Sequence, residues 1–129
     1  MSVSPQQMIE TVEAYVAAFD RGDADAVARL YAEDGVVHDP LDAPPVHGRD
    51  AILAFYHRSM ATGAKLSLSG PVRTAANVAA FAFSVRLALP SGEGRIDVID
   101  TFEFNPDGLI QKMTAYWGPN NMHGFEEQA

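Results

Sequence analysis

Asp97-Val98-Ile99-Asp100-Thr101-Phe102-Glu103-Phe104 alternates strictly, and the rest of the chain is best read outward from it. In a strand, successive side chains point to opposite faces, so Val98, Asp100, Phe102 and Phe104 share one face and Asp97, Ile99, Thr101 and Glu103 the other. The first face is apolar except for one carboxyl. If that face is the core, Asp100 is a buried acid, and an unpaired buried carboxylate is costly enough to take up a proton. A neutral carboxylic acid donates a hydrogen bond at neutral pH. The other arrangement open to this stretch is an edge position, where Asp100 reaches water or pairs with an arginine.

The flanking segments are also β-like. Upstream, residues 79–89 alternate through Ala79, Phe81, Phe83, Val85, Leu87 and Leu89, and Pro90-Ser91-Gly92-Glu93-Gly94 reads as the turn into the central strand. An earlier strand over 66–74 is broken at Gly70-Pro71. Downstream, Asn105-Pro106-Asp107-Gly108 is a turn and 109–117 a last strand, followed by a polar tail over 118–129.

The N-terminal half is helical. Ser4-Pro5-Gln6-Gln7 has the form of a capped helix start, and Met8, Ile9, Val12, Tyr15, Val16 and Phe19 fall on one stripe that ends near Gly22. Asp23 caps a second helix with Val27, Leu30 and Tyr31 on its apolar face, closed by Asp34-Gly35. Val36-Val37-His38-Asp39 is a short strand running into a loop with Pro40, Pro44 and Pro45. Arg49-Asp50 open a third helix carrying Ile52, Phe55, Tyr56 and Met60, and Gly63 ends it. Helices first and then an antiparallel meander predict one α+β domain over 1–129: a conical half-barrel with the N-terminal helices packed against a curved, mostly antiparallel sheet.

Composition narrows the chemistry. The 129 residues carry a formal net charge of -8 and a pI near 4.7, which disfavours nucleic acid as a partner because little would neutralise phosphates. The chain has no cysteine, so thiol chemistry and thiolate metal sites are excluded. No pair of the four histidines has helical i, i+4 spacing, and no ligand-spaced cluster stands out, so no metal is expected. No segment has the length of a membrane span. Met1-Ser2-Val3-Ser4-Pro5 lacks the pattern of a signal peptide, so a cytoplasmic location is the expectation.

Four features remain as candidates. Tyr15, Tyr31 and Tyr56 each lie on a predicted apolar helix stripe; their hydroxyls either converge or tip separately towards solvent. Asp39 stands where a strand meets a proline-rich loop, a common place for a catalytic group and equally a turn-forming position. Met113, Ala115 and Trp117 share a face of the last strand, as core or pocket lining.

The segments Glu13-Ala14-Tyr15-Val16, Val37-His38-Asp39-Pro40, Ala54-Phe55-Tyr56, Asp97-Val98-Ile99-Asp100 and Met113-Thr114-Ala115-Tyr116-Trp117 occur in this order. In this the chain resembles the bacterial steroid Δ-isomerases, or ketosteroid isomerases, of the nuclear-transport-factor-2-like superfamily. The resemblance implies Asp39 as general base, Tyr15 and protonated Asp100 as oxyanion-hole donors, and Tyr31 and Tyr56 as the hydrogen-bond network behind Tyr15. It implies Phe83, Asp97, Met113 and Trp117 as substrate-pocket residues. A neutral carboxylic acid in an apolar site is a known property of that family. Activity would be cofactor-free isomerisation of a β,γ-unsaturated 3-ketosteroid, in a homodimer. His38 departs from the family pattern beside the base; on a strand it points away from Asp39. Two other classes stay open: another enzyme on the same cone, of polyketide cyclase or epoxide hydrolase type, and a non-catalytic steroid-binding dimeric module. A pure binder has no need of Asp39.

Overall fold

The computed structural model describes residues 3–125; Met1, Ser2 and residues 126–129, and with them parts of the signal-peptide and tail expectations, lie outside the described residues. The architecture is the expected α+β half-barrel. Helix α1 spans Pro5–Arg21. Its start is a full capping box: the Gln7 N–H donates to Ser4 Oγ at 3.1 Å and the Ser4 N–H to Gln7 Oε1 at 2.8 Å. Gly22 ends it with φ 68°, a left-handed conformation that favours glycine. Met8, Val12, Tyr15, Ala18 and Phe19 form its buried stripe.

The second helix is shorter than the periodicity predicts. Asp23 does cap α2, but α2 covers only Ala24–Ala28, and strand β1 begins at once, over Tyr31–His38. Tyr31 therefore sits at the start of a strand and not on a helix face. A five-residue helix holds little stability of its own. The Leu30 carbonyl is instead taken by the Ile110 N–H at 2.9 Å, and Tyr31 pairs with Ile110. Asp34-Gly35 lies inside an irregular stretch of β1 where the register shifts between Tyr31 and Val36. Gly35 permits this close approach: a Cβ there would meet the carbonyl oxygens of Ala32 at 3.1 Å and Ile110 at 3.2 Å.

The remaining elements are β2 (Val46–His47), α3 (Arg49–Ala61), β3 (Lys65–Leu68), β4 (Arg73–Ala75), β5 (Val78–Leu89), β6 (Gly92–Phe104), β7 (Ile110–Tyr116), a 3-10 turn (Pro119–Asn121) and β8 (Met122–His123). The single sheet runs β2-β1-β7-β6-β5-β3, with β4 on β5 and β8 on β6. Pairing is antiparallel throughout except between β1 and β7, which are parallel. The turn before β6 is tighter than expected: Leu89 pairs with Gly92, and Gly92 takes φ 135°. The stretch read as a patternless tail carries the 3-10 turn and β8, which lies along β6 at Arg95 and Ile96.

The core lies between the helices and the concave face of the sheet. Phe102, Ile110, Met113, Met8, Val12 and Ile52 are fully buried there. Burying an aliphatic or aromatic side chain contributes about 1.5–3 kcal/mol, so these contacts outweigh the weak intrinsic preference of short elements. Tyr15 packs edge-on against Phe102, ring centres 5.1 Å apart, which ties α1 to the central strand beside Asp100. Among the described residues no helix is long and apolar enough to cross a membrane.

Candidate active site

The alternation of β6 is realised as read. Asp100 is 1% exposed. β6 is paired on both sides at this position, with Phe81 of β5 and Ala115 of β7, so Asp100 is not on an edge. None of the ion pairs among the described residues involves it. Its Oδ1 is buried without a hydrogen-bond partner. Burial pushes this carboxyl well above the usual carboxylate range, and the charge of Asp39 adds to the effect.

Asp39 follows the last residue of β1. The loop after it is tied to β7 by the Leu41 N–H donating to the Ala115 carbonyl at 2.9 Å, which brings Asp39 beside Trp117. The Trp117 Nε1–H donates to Asp39 Oδ1 at 2.8 Å. Asp39 is half-buried. Burial raises its carboxyl above the usual range, while the indole hydrogen bond, which favours the charged form, acts the other way. The two acids are therefore placed differently. Asp100 has burial and no donor, and Asp39 has partial exposure and a donor, so Asp39 gives up its proton first.

The three tyrosine hydroxyls converge. Tyr31 and Tyr56 are 2.6 Å apart at their oxygens, and Tyr56 and Tyr15 3.2 Å. Direction follows from the chain's ends. If Tyr15 donated inward, the Tyr31 proton would be left buried with no acceptor, a cost of about 1–3 kcal/mol. Tyr31 therefore donates to Tyr56 and Tyr56 to Tyr15, which leaves the Tyr15 O–H free to point into the cavity it lines. Burial raises all three phenols well above their ordinary value, and nearby Asp100 contributes to each.

Tyr15, Tyr56, Asp39, Asp100, Phe83 and Trp117 line one cavity of about 260 Å³. Asp97 and Met113 do not. The alternation that faces Asp100 inward faces Asp97 outward, where it accepts from Ser84 Oγ at 3.0 Å and pairs with Arg95 and His123, each at 3.1 Å. Desolvation is the largest single influence on Asp97 and works upward, but the hydrogen bonds from Ser84, Arg95 and His123 and the charge of Arg95 together hold it below the usual range. Met113 is fully buried between Phe102 and Val37 in the core. Tyr31 supports the site from behind without lining it. Sequence reasoning missed Phe19, Val85, Leu87, Ile96, Val98 and Ser59 as lining residues. The strand residues among them share the inward face with Phe83 and Asp100, so the alternation already contained that signal. Among the described residues no three His, Asp or Glu side chains gather as a metal site.

The Trp117–Asp39 bond carries a prediction. Trp117→Phe removes a donor that favours ionised Asp39, so the Asp39 carboxyl rises further. The resemblance implies that Asp39 is a base, which works only when ionised; on that expectation the acid limb of a pH–rate profile should move to higher pH. An unmoved limb would show that the indole does not tune this acid.

Residues 12–113 match the SnoaL-like domain family. The chain is similar to a steroid Delta-isomerase of Nocardioides simplex, 38% identical over 112 residues that cover 86% of this chain and 89% of that protein. It is 28% identical over 110 residues to the epoxide hydrolase LasB of Streptomyces lasalocidi, covering 81% of this chain but only 39% of that longer protein. Among solved structures, the epoxide hydrolase/cyclase-like enzyme SalBIII superposes with a TM-score of 0.84 at 22% identity, covering 91% of this chain and 95% of that one. That likeness concerns the fold.

Proposed function

The chain belongs to the SnoaL-like family of nuclear-transport-factor-2-like domains, and from that premise we propose that it is a steroid Δ-isomerase working by proton transfer through a dienolate. The observation that carries this reading is the pairing of acids: a buried, unpartnered Asp100 shares an apolar cavity with a half-buried Asp39 that accepts an indole hydrogen bond. The identity to the Nocardioides simplex enzyme supports it.

In this reading a β,γ-unsaturated 3-ketosteroid enters with its carbonyl towards Tyr15 and Asp100. Ionised Asp39 removes the proton between the carbonyl and the double bond, and charge builds on the carbonyl oxygen. The Tyr15 O–H and protonated Asp100 donate to that oxygen. Such fixed donors in a site of low polarity are worth far more than in water. Asp39 then returns the proton at the far end of the dienolate, giving the conjugated ketone. The same base serves both steps, so the proposed chemistry needs no cofactor. Tyr31 and Tyr56 hold the Tyr15 oxygen as an acceptor from behind and keep its proton aimed forward.

The test is a rise in ultraviolet absorbance as purified protein converts a non-conjugated 3-ketosteroid to its conjugated isomer. Well-folded protein that gives no conversion would overturn the reading; turnover of an epoxide with steroids acting only as inhibitors would move the assignment towards the LasB type. A cytoplasmic homodimer belongs to the same proposal. Ile99 and Tyr116, 50% and 46% exposed and opposite one another on the outer face of β6 and β7, are the apolar pair such a dimer would cover.

A further inference from the structure

The cavity runs outward from Asp100 as an apolar slot. Along β5 and β6 the inward residues form a ladder: Phe81 beside Asp100, Phe83 beside Val98, Val85 beside Ile96 and Leu87 beside Gly94. Phe83, Val85, Leu87, Ile96 and Val98 all line the cavity. Leu87 stands six residues beyond Phe81, which is about 20 Å along β5 from the level of Asp100 at the usual rise per strand residue. Four fused rings of ordinary carbon–carbon bonds span about 10 Å. A tetracyclic nucleus with its carbonyl at Asp100 therefore ends well short of Leu87, and a side chain of several carbons on its far ring would cover the rest.

The sheet opens at this level. β3 is its edge strand, and the first residue of β3, Lys65, pairs with Arg86. Among the described residues no strand continues beside β5 past that pair, so the edge of β5 is uncovered at Leu87. A second cleft lies there, with Gly63, Lys65, Arg86, Leu87, Leu89 and Glu93 among its lining residues. Leu87 lines both this cleft and the slot, so the two meet at its side chain.

The cleft is charged where the slot is apolar. Lys65 and Arg86 are exposed, and Arg95 of β6 is the register partner of Arg86 on its other side. Like charges placed directly opposite destabilise a sheet, so strand pairing gives no reason for this cationic row in a chain of net charge -8. Arg95 is paired with Asp97 at 3.1 Å. The other two have no carboxylate. The Lys65 ammonium donates to the Asp20 backbone carbonyl at 2.7 Å, a neutral acceptor. Arg86 makes no side-chain hydrogen bond or ion pair among the described residues, and Glu93, the one carboxylate on the cleft lining, pairs with neither cation. Two cations against one carboxylate leave a positive balance where the slot reaches solvent.

We propose that this cleft is a subsite for an anionic group, and that the chain takes β,γ-unsaturated 3-ketosteroids whose far ring carries a short side chain ending in a carboxylate. The nucleus fills the slot, the side chain passes over Leu87 through the opening beyond β3, and the carboxylate lies between the Lys65 ammonium and the Arg86 guanidinium. This deepens the isomerase reading and rests on it: Asp39, Tyr15 and Asp100 act at the near ring, and the distal charge contributes binding alone. Both cations are exposed, so each contributes as a surface ion pair does, and salt weakens it. The resulting preference for the acid over a neutral analogue is about 3- to 10-fold in kcat/KM at low ionic strength.

The experiment uses three β,γ-unsaturated 3-ketosteroids: one without a side chain, one with a side chain ending in a carboxylate, and the primary amide of that acid. Initial rates are followed by ultraviolet absorbance for the native protein, Arg86→Gln, Lys65→Gln and Glu93→Gln, at low salt and at about 0.5 M salt, where exposed charges are largely screened. At low salt the native protein should prefer the acid to the amide about 3- to 10-fold, mainly through KM, and at high salt the ratio should fall towards one. Arg86→Gln and Lys65→Gln should each lower the ratio. Glu93→Gln removes the opposing charge and should raise it, which general damage to the fold would not do. The ratio is internal to each preparation, so a partly unfolded variant still reports it. Equal rates for acid and amide in the native protein, a preference that neither cation variant lowers, or conversion of the plain steroid but of neither side-chain steroid overturns the inference alone. No conversion of any of the three by folded native protein overturns the isomerase reading and the inference with it.

Discussion

Asp39→Asn should lower kcat by roughly 10²- to 10⁴-fold, the range expected for loss of a positioned general base, and leave the fold intact. Asparagine has nearly the same volume, and its carbonyl oxygen can keep the hydrogen bond from the Trp117 indole. It cannot take up a proton at neutral pH. In the proposed reaction the same group also returns the proton, so both halves of the cycle stop. A planar phenolic steroid should still bind, because the apolar slot and the donors at Tyr15 and Asp100 remain. Binding can be followed by Trp117 fluorescence and turnover by ultraviolet absorbance. Retained turnover would remove Asp39 from the role of base. Loss of binding together with turnover would make it a structural residue.

Asp100 should separate activity from stability. In the proposed reaction Asp100→Ala removes a donor at the developing charge and should lower kcat by about 10²- to 10³-fold; Asp100→Asn keeps an N–H donor and should lose less. Stability should move the other way with pH. Burial raises the folded-state value of Asp100 well above the ordinary carboxylate range. The folded protein therefore holds this proton at pH values where the unfolded chain has released it. The stabilisation linked to that proton is full below the ordinary aspartate value and is lost as pH rises through the raised one. Asp100→Asn has no such proton. Its urea midpoint relative to the native protein should accordingly increase with pH above the ordinary aspartate range. A difference independent of pH would mean that Asp100 is ionised in the folded state.

The legibility of these features varied from residue to residue. The placement of Asp100 was readable because strand alternation has a period of two and the burial of β6 follows it from Val98 to Phe104. The same rule faced Asp97 away from the cavity, and where the resemblance suggested a pocket role the alternation proved the better guide. Tyr15 and Tyr56 were readable as buried helix residues, yet periodicity left open whether their hydroxyls met. Tyr31 was misread because Val27, Leu30 and Tyr31 fit a helical stripe. Nothing local to that stripe shows that the backbone at Leu30 and Tyr31 pairs instead with Ile110, eighty positions downstream.

Local patterning is therefore enough to establish which side chains are withdrawn from water, because burial repeats with the period of each element: the apolar stripe of α1, the inward faces of β5 and β6, and the single acid among them. Patterning cannot establish which buried groups meet, since that depends on how separate elements close over one another. The Tyr31–Tyr56–Tyr15 chain and the indole bond to Asp39 each join residues far apart in sequence that only the packing of the helices against the sheet brings together. Asp100 began as one carboxyl on an apolar strand face. Packing surrounds it with β5, β7 and α1, withholds any partner from Oδ1 and opens it onto the cavity shared with Asp39. Distances of this kind are properties of the closed sheet and its helices, and no periodicity within one element encodes them.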